Sequence, residues 1–338
     1  MKIVPSLLGD TATILLLISI PKDQQILTRA LSATGCKIRV VTTIEEAEEA
    51  IMQHDIDLLV ADYDQQIQAL EENGRAAFDN FLTRVAHLPA SHWVNGQTRV
   101  LLLAERRSRE EMSHFFERSF AINIVAKTHD IAPEELIITV GKIIHNDIFG
   151  IEKYLCYGAN PFNYEVTSSS QKGPLLEALS EYATSIGINK RIISAVSSVA
   201  DELLMNAIYN APIYSNGVRP YARRSRTQPV DLKPEESCFF SFASDGTQFI
   251  ISVRDRFGSL TPEKIRTYLA RCFAMGDDQI EQKQGGAGMG FYFIMKNLNK
   301  LIVNISPGRG TEFIGILDIS GSYRDYLEQF KSFHIFVA

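Results

Sequence analysis

The chain lacks most of the residues that mark a special environment. It has four cysteines, Cys36, Cys156, Cys238 and Cys272, far apart and without a C-x-x-C pair. That spacing excludes a disulfide framework and a zinc site, and it fits reduced structural thiols in a cytosolic protein. No apolar run reaches the ~18 residues of a membrane span. The apolar stretch 13–20 is too short, and residues 1–10 carry one lysine and no cleavage-like site, so neither a span nor a signal peptide is expected. Positive charge is not in excess: 34 basic residues stand against 40 acidic ones, a net charge of −6. This argues against general affinity for nucleic acid or anionic membranes. Internal repeats and long low-complexity tracts are absent. What remains is a globular composition, 45% apolar over 338 residues, enough for two domains of ordinary size.

The most informative stretch is 284–294, where Gly286, Gly288 and Gly290 alternate with small or flexible residues ahead of an apolar run at helical spacing. A glycine-rich loop feeding a helix N-terminus offers backbone N–H groups to an anion. Its neighbours add weight. In the helix expected over 191–210, Glu202, Asn206 and Asn210 recur every four residues and form one polar line. Solvated faces usually carry Lys and Glu, whereas asparagine is a poor helix former. A carboxylate and a carboxamide oxygen on one line suit Mg²⁺, a hard cation. Residues 211–236 form an irregular insertion with four prolines and with Arg219, Arg223, Arg224 and Arg226. Strands over 238–243 and 249–253 form a hairpin through Asp245-Gly246. The second ends at Asp255-Arg256-Phe257-Gly258, where the aspartate is a turn former or an acceptor for an exocyclic amine. Thr261-Pro262 starts a further helix, residues 276–284 read as a polar lid, and strands 301–305 and 311–317 close the chain as a hairpin.

In this order the pieces resemble the GHKL (Bergerat-fold) ATPase domain of histidine kinases, gyrase-type proteins and anti-sigma-factor serine kinases. The Glu202/Asn206 helix is similar to the N box and residues 255–258 to the G1 box. Residues 286–290 are similar to the G2 box, and Gly310-Thr311 to the late turn near the base. The resemblance implies ATP and Mg²⁺ as cofactors and an α/β sandwich with a mixed, mainly antiparallel sheet. It implies Glu202 as catalytic base and Asn206 as metal ligand. Asn210, Asp255, Gly258, Gly286, Gly288, Gly290 and Thr311 would complete the nucleotide site, with Asp255 reading the adenine amino group. One departure stands out: Phe257 and Ser259 occupy places where the G1 box has glycines.

The first half alternates strand and helix. Strands are expected near 13–18, 37–41, 58–61, 99–103 and 122–126, and helices near 24–34, 43–54, 110–120 and 133–146, which gives a doubly wound, five-stranded parallel sheet. At Asp57-Leu58-Leu59-Val60-Ala61-Asp62 and Lys127 it resembles receiver domains of response regulators. Asp62 matches their phosphoacceptor and Lys127 their phosphate-contacting lysine. The pattern is incomplete. Ile18 and Ser19 stand near the places of the paired acids, with Asp23 several residues on, Leu103 or Ala104 at the small hydroxylated residue, and Thr128 at the proline. A pseudo-receiver is expected, with Asp62 a strand-end acid held by Lys127. His145 reads as a surface histidine near a helix end, since Asn146 follows it and no second long helix is available for a phosphohistidine hairpin.

The expected organisation is a receiver-like domain over 1–150, a junction over 151–160 entered by a helix continuing from 144, and an ATP-binding domain over 161–338. The resemblances imply a bacterial, cytoplasmic signalling protein that phosphorylates a serine or threonine of a partner protein. A nucleotide-dependent binding switch without phosphoryl transfer, and a relative of histidine kinases acting on a partner histidine, are the alternatives. ATP or ADP and a signalling protein are the expected partners, and a homodimer is compatible.

Overall fold

The computed structural model describes residues 12–53, 56–70, 73–88, 99–105, 109–127, 133–274, 289–321, 326 and 331–338. The chain divides into two compact units. The first holds 1–106 and 118–147, the second 107–117 and 148–338.

In the first unit β1 (Thr13–Leu17), β2 (Lys37–Val41), β3 (Leu58–Asp62), β4 (Val100–Ala104) and β5 (Asn123–Ala126) are parallel, in the order 2-1-3-4-5. β3 and β4 are buried along their whole length and β1 along nearly all of it. That is why they read as unbroken apolar runs. α1 (Pro21–Ser32) packs on α6 (Pro133–His145), and α2 (Ile44–Gln53) on β1. This is the receiver-like arrangement, and the order reverses between β1 and β3. Crevices at such a reversal, outside the carboxyl ends of the strands, are where these sheets place their sites. Asp62 ends β3 there. α3 (Tyr63–Ala69) follows it directly, and α4 (Gly74–Ala86) resolves the irregular stretch as a second helix.

The second unit has a mixed sheet in the order 11-9-10-8-7-6. β6 (Phe162–Val166), β7 (Cys238–Ser244), β8 (Gln248–Arg254), β10 (Gly310–Asp318) and β9 (Lys300–Ser306) run antiparallel, and β11 (Ser332–Val337) joins β9 in parallel. α7 (Lys172–Ser185) packs on α8 (Lys190–Met205), and α8 on β8. α10 (Met289–Lys296) contacts α8, β9 and α9 (Pro262–Ala274). β8 faces β10 with Arg254 opposite Glu312, which brings Asp255 and Thr311 together just beyond the paired residues.

Three expectations need correcting. The helix expected across the junction stops at His145, because Asn146 turns left-handed at φ 55°, and the chain re-forms only as a 3₁₀ turn, Ile151–Tyr154. The helix expected over 110–120 ends at Phe116 as α5 (Arg109–Phe116), and it belongs to the second unit although it lies within the first 150 residues. There it packs on α9, with Phe116 edge-on to Phe333 at 5.1 Å and tilted to Phe273 at 5.6 Å. β11 was not expected at all. The stretch Lys190–Asn210 is long and apolar enough to pass for a membrane span, yet half of it is buried within the protein.

Phe116 is fully buried. Phe116→Ala is therefore expected to destabilise the second unit by about 3–5 kcal/mol, read as a lower midpoint in chemical denaturation. An unchanged midpoint would separate α5 from that core.

Candidate functional site

α8 carries the polar line. Its helix changes character at Asn206: residues Asn206–Asn210 form a π turn, closed by the Ala211 N–H on the Asn206 carbonyl at 2.9 Å. π turns inside helices recur at functional sites, because the extra residue re-aims side chains. The re-aimed side chains form a ladder. Asn206 Nδ2 donates to Glu202 Oε1 at 3.1 Å, and Asn210 Nδ2 to Asn206 Oδ1 at 2.7 Å. Arg226 Nη2 reaches Asn210 Oδ1 at 3.5 Å. Arg226 lies over the Tyr209 ring, 4.5 Å from its centroid. Arg219 donates to the Asn210 carbonyl and to Ser259 Oγ. The insertion is thus tied back onto the ladder by two arginines. Burial raises the Glu202 pKa, while Asn206 and the charge of Arg226 oppose the rise.

Gly290, in the first turn of α10, sits directly on this ladder. A Cβ there would fall 2.1 Å from Glu202 Oε1. The last of the three alternating glycines therefore meets the carboxylate on α8, and only a hydrogen fits between them. Gly286, Gly288 and the lid expected over 276–284 lie outside the described residues.

Asp255 is the other pole. It is 8% exposed, and its Oδ1 accepts from the backbone N–H groups of Phe257 at 2.7 Å, Gly258 at 3.2 Å and Thr311 at 3.2 Å. The Thr311 hydroxyl is buried beside the carboxylate. Burial raises the Asp255 pKa, and the N–H groups of Phe257, Gly258 and Thr311, with the Thr311 side chain, pull it back. Gly258 makes this turn possible. Its φ is +60°, and a Cβ would stand 2.0 Å from the Ser306 carbonyl oxygen. Gly310 comes close on the other side, where a Cβ would lie 2.7 Å from the Asp255 carbonyl oxygen. Arg256 turns away to Glu165, Ser237 and the Phe239 ring, and so supports the sheet.

Glu202 and Asn206 offer hard oxygens, and no cluster of three acidic, histidine or cysteine side chains occurs among the described residues. Mg²⁺ typically takes one or two protein ligands and completes its shell with water and phosphate.

In the first unit Asp62 is fully buried and both its oxygens are engaged. Oδ1 accepts from the N–H groups of Asp64 at 3.1 Å and Gln65 at 3.0 Å, capping α3, and Oδ2 accepts from Lys127 Nζ at 2.6 Å. Lys127 also reaches Asp23 Oδ2 at 3.3 Å, and Gln65 Nε2 donates to the same oxygen at 2.5 Å. Asp23 lies several residues past the strand end, and the first turn of α1 brings it back. Spacing alone did not single it out. His145 is exposed at the end of α6.

The two units are thus a receiver-like, doubly wound α/β domain and a mixed-sheet α/β domain. No protein-family model matches the chain, and no curated protein matches its sequence. Solved structures similar to it include a response regulator from Thermotoga maritima, at 18% identity over 40% of this chain and 98% of that one, TM-score 0.31. The chemotaxis response regulator CheY4 of Vibrio cholerae is similar at 17% identity over 39% and 98%, TM-score 0.31. A SiaB–SiaC complex from Pseudomonas aeruginosa matches at 14% identity over 46% and 88%, TM-score 0.34.

Two glycine substitutions are expected to part company. Gly258→Ala forces a left-handed alanine against a backbone oxygen and is expected to lower stability by at least ~2 kcal/mol. Gly290→Ala meets only the end of a flexible side chain, so it is expected to shift Glu202 and impair the site with little change in unfolding midpoint. Equal losses of stability would refute this geometry. Lys127→Ala leaves Asp62 buried without its cation and is expected to cost about 3–5 kcal/mol, measured by denaturation of the full chain.

Proposed function

We propose that the second unit binds Mg²⁺–ATP and transfers its terminal phosphoryl group to a serine or threonine of a partner protein in a signalling pathway. The receiver-like unit serves as a regulatory docking domain that is not itself phosphorylated. Asp255 carries the reading: a buried carboxylate with Oδ1 fixed by three backbone amides, so that Oδ2 is the oxygen left to accept from a ligand, beside the buried Thr311 hydroxyl. A buried carboxylate gains from each further donor that reaches it. The exocyclic amine of adenine fits Oδ2 as donor, and Thr311 can join through water. Asn206 would hold the metal, which when bound neutralises charge on the phosphoryl oxygens. The chain's own contribution is positioning. The half-buried Glu202 takes the proton of the acceptor hydroxyl as ADP leaves, and Gly290 keeps the start of α10 close to that carboxylate.

A switch that binds nucleotide without transferring phosphate is the second reading. It is favoured by the Asn206 bond that occupies Glu202 Oε1 at rest.

Asp255→Asn replaces the accepting carboxylate with a group that also donates, and is expected to weaken ATP by about tenfold or more. Calorimetry giving equal affinity for wild type and variant would remove the adenine-reading role. Glu202→Gln separates the two readings. For a kinase, transfer is lost while ATP affinity is kept. The wild-type rate then rises with pH through a pKa above the ordinary 4.5, because burial raises it and the base acts when deprotonated. Partner release that survives Glu202→Gln unchanged, with no labelled product from wild type, would favour the switch.

A further inference from the structure

We propose that Arg226, from the insertion between α8 and β7, is the residue that distinguishes a nucleoside triphosphate from a diphosphate in this cleft. The inference rests on the nucleotide reading of the site and adds to it a group outside the motifs that suggested that reading.

The polar ladder itself holds no cation. Glu202 is a carboxylate, and Asn206 and Asn210 are neutral. A triphosphate brings more negative charge than one Mg²⁺ removes, so the site needs a cation near the terminal phosphate. Two cations act on Glu202 through their charge, Arg226 and Lys172. Lys172 is committed, since its Nζ lies 2.6 Å from Asp201 Oδ1. Arg226 has no carboxylate partner among the described residues. It is held by its face, over the Tyr209 ring at 4.5 Å, and by one long bond to Asn210 Oδ1 at 3.5 Å. Both contacts leave most of its N–H donors unused. The Tyr209 ring is buried, and its hydroxyl donates to the Gln228 carbonyl at 3.2 Å, so the platform is anchored at both ends of the loop that carries Arg226.

Arg219 plays a different part. Its guanidinium bridges the Asn210 carbonyl and Ser259 Oγ, which fastens the insertion to the turn after Asp255. Arg219 is a positioning residue, and Arg226 is the one with donors to spare. A guanidinium stacked on an aromatic ring is pre-ordered yet free to offer a bidentate edge to phosphate. The cationic loop therefore completes the phosphate end of a cleft whose base end is Asp255.

The test is titration of the full-length protein with Mg²⁺–ATP and with Mg²⁺–ADP by calorimetry, for wild type, Arg226→Ala and Arg226→Lys. The expected result for Arg226→Ala is a loss of about tenfold or more in ATP affinity, with ADP affinity held within about twofold. Arg226→Lys is expected to recover part of the ATP affinity, because charge returns without the planar fork. The thermal midpoint of each variant without nucleotide is expected to match wild type, since the side chain is exposed. If wild type binds both nucleotides and Arg226→Ala loses them equally or loses neither, the discrimination role falls while the nucleotide site stands. If wild type binds neither nucleotide, both the site and the role of Arg226 fall.

Discussion

A carboxylate buried at a strand end must draw hydrogen bonds from somewhere, and Asp255 draws three from backbone amides. Two come from the turn that follows it and one from β10. The arrangement exists only because Gly258 takes a left-handed turn against the Ser306 carbonyl and because Gly310 lets the two backbones close. The Asp255 N–H in turn donates to the Thr311 carbonyl at 2.8 Å. The end of β8, the start of β10 and the turn before it are thereby locked around a single oxygen. The position of Thr311 and the approach of the β9–β10 turn follow from the bonds to Oδ1.

The sequence made the local pieces readable where one residue type answers one local demand. The strands β1, β3 and β4 are buried on both faces, so their apolar runs were plain. The i, i+4 recurrence of Glu202, Asn206 and Asn210 put them on one line, and they do bond in series. The π turn that adjusts this line leaves no trace in spacing, because it differs from an α turn by one bond. What could not be read depends on distant partners. β11 is a short apolar segment, and only its parallel pairing with β9 makes it a strand. α5 has an ordinary amphipathic pattern that does not say which core receives Phe116. Asp23 lies outside the strand-end spacing and reaches Lys127 only through the first turn of α1. The Asn146 turn was hidden because the residues on either side of it are compatible with a helix, and a left-handed asparagine is a property of the chain's path.

The two units handle a buried aspartate in opposite ways. Asp62 and Asp255 both end a strand, both are nearly or fully buried, and burial pushes both pKa values up. Asp62 is then satisfied on both oxygens by protein groups: two amides on one, the Lys127 ammonium on the other. Asp255 is held by three backbone amides on one oxygen and has no cation in hydrogen-bond reach among the described residues. The difference is one between a carboxylate neutralised by an ammonium and one held by backbone dipoles.

Lys127 sharpens that contrast. Its ammonium lies 2.6 Å from Asp62 and 3.3 Å from Asp23, so one fixed positive charge bridges two carboxylates. A divalent cation bound to Asp62 Oδ2 would have to displace the ammonium. Gln65 narrows the space further, since its amide donates to Asp23 while its carbonyl oxygen accepts from the Ile20 N–H at 3.2 Å. The Lys127 pKa rises, because the two carboxylates outweigh the burial that would lower it, so the bridge stays charged wherever the carboxylates do. Phosphoryl transfer to Asp62 would require breaking the cap of α3 or the ion pair, each within a fully packed strand end. The first unit keeps the strand order 2-1-3-4-5, and at the point where that order reverses its strand-end carboxylate is closed by the Lys127 ammonium.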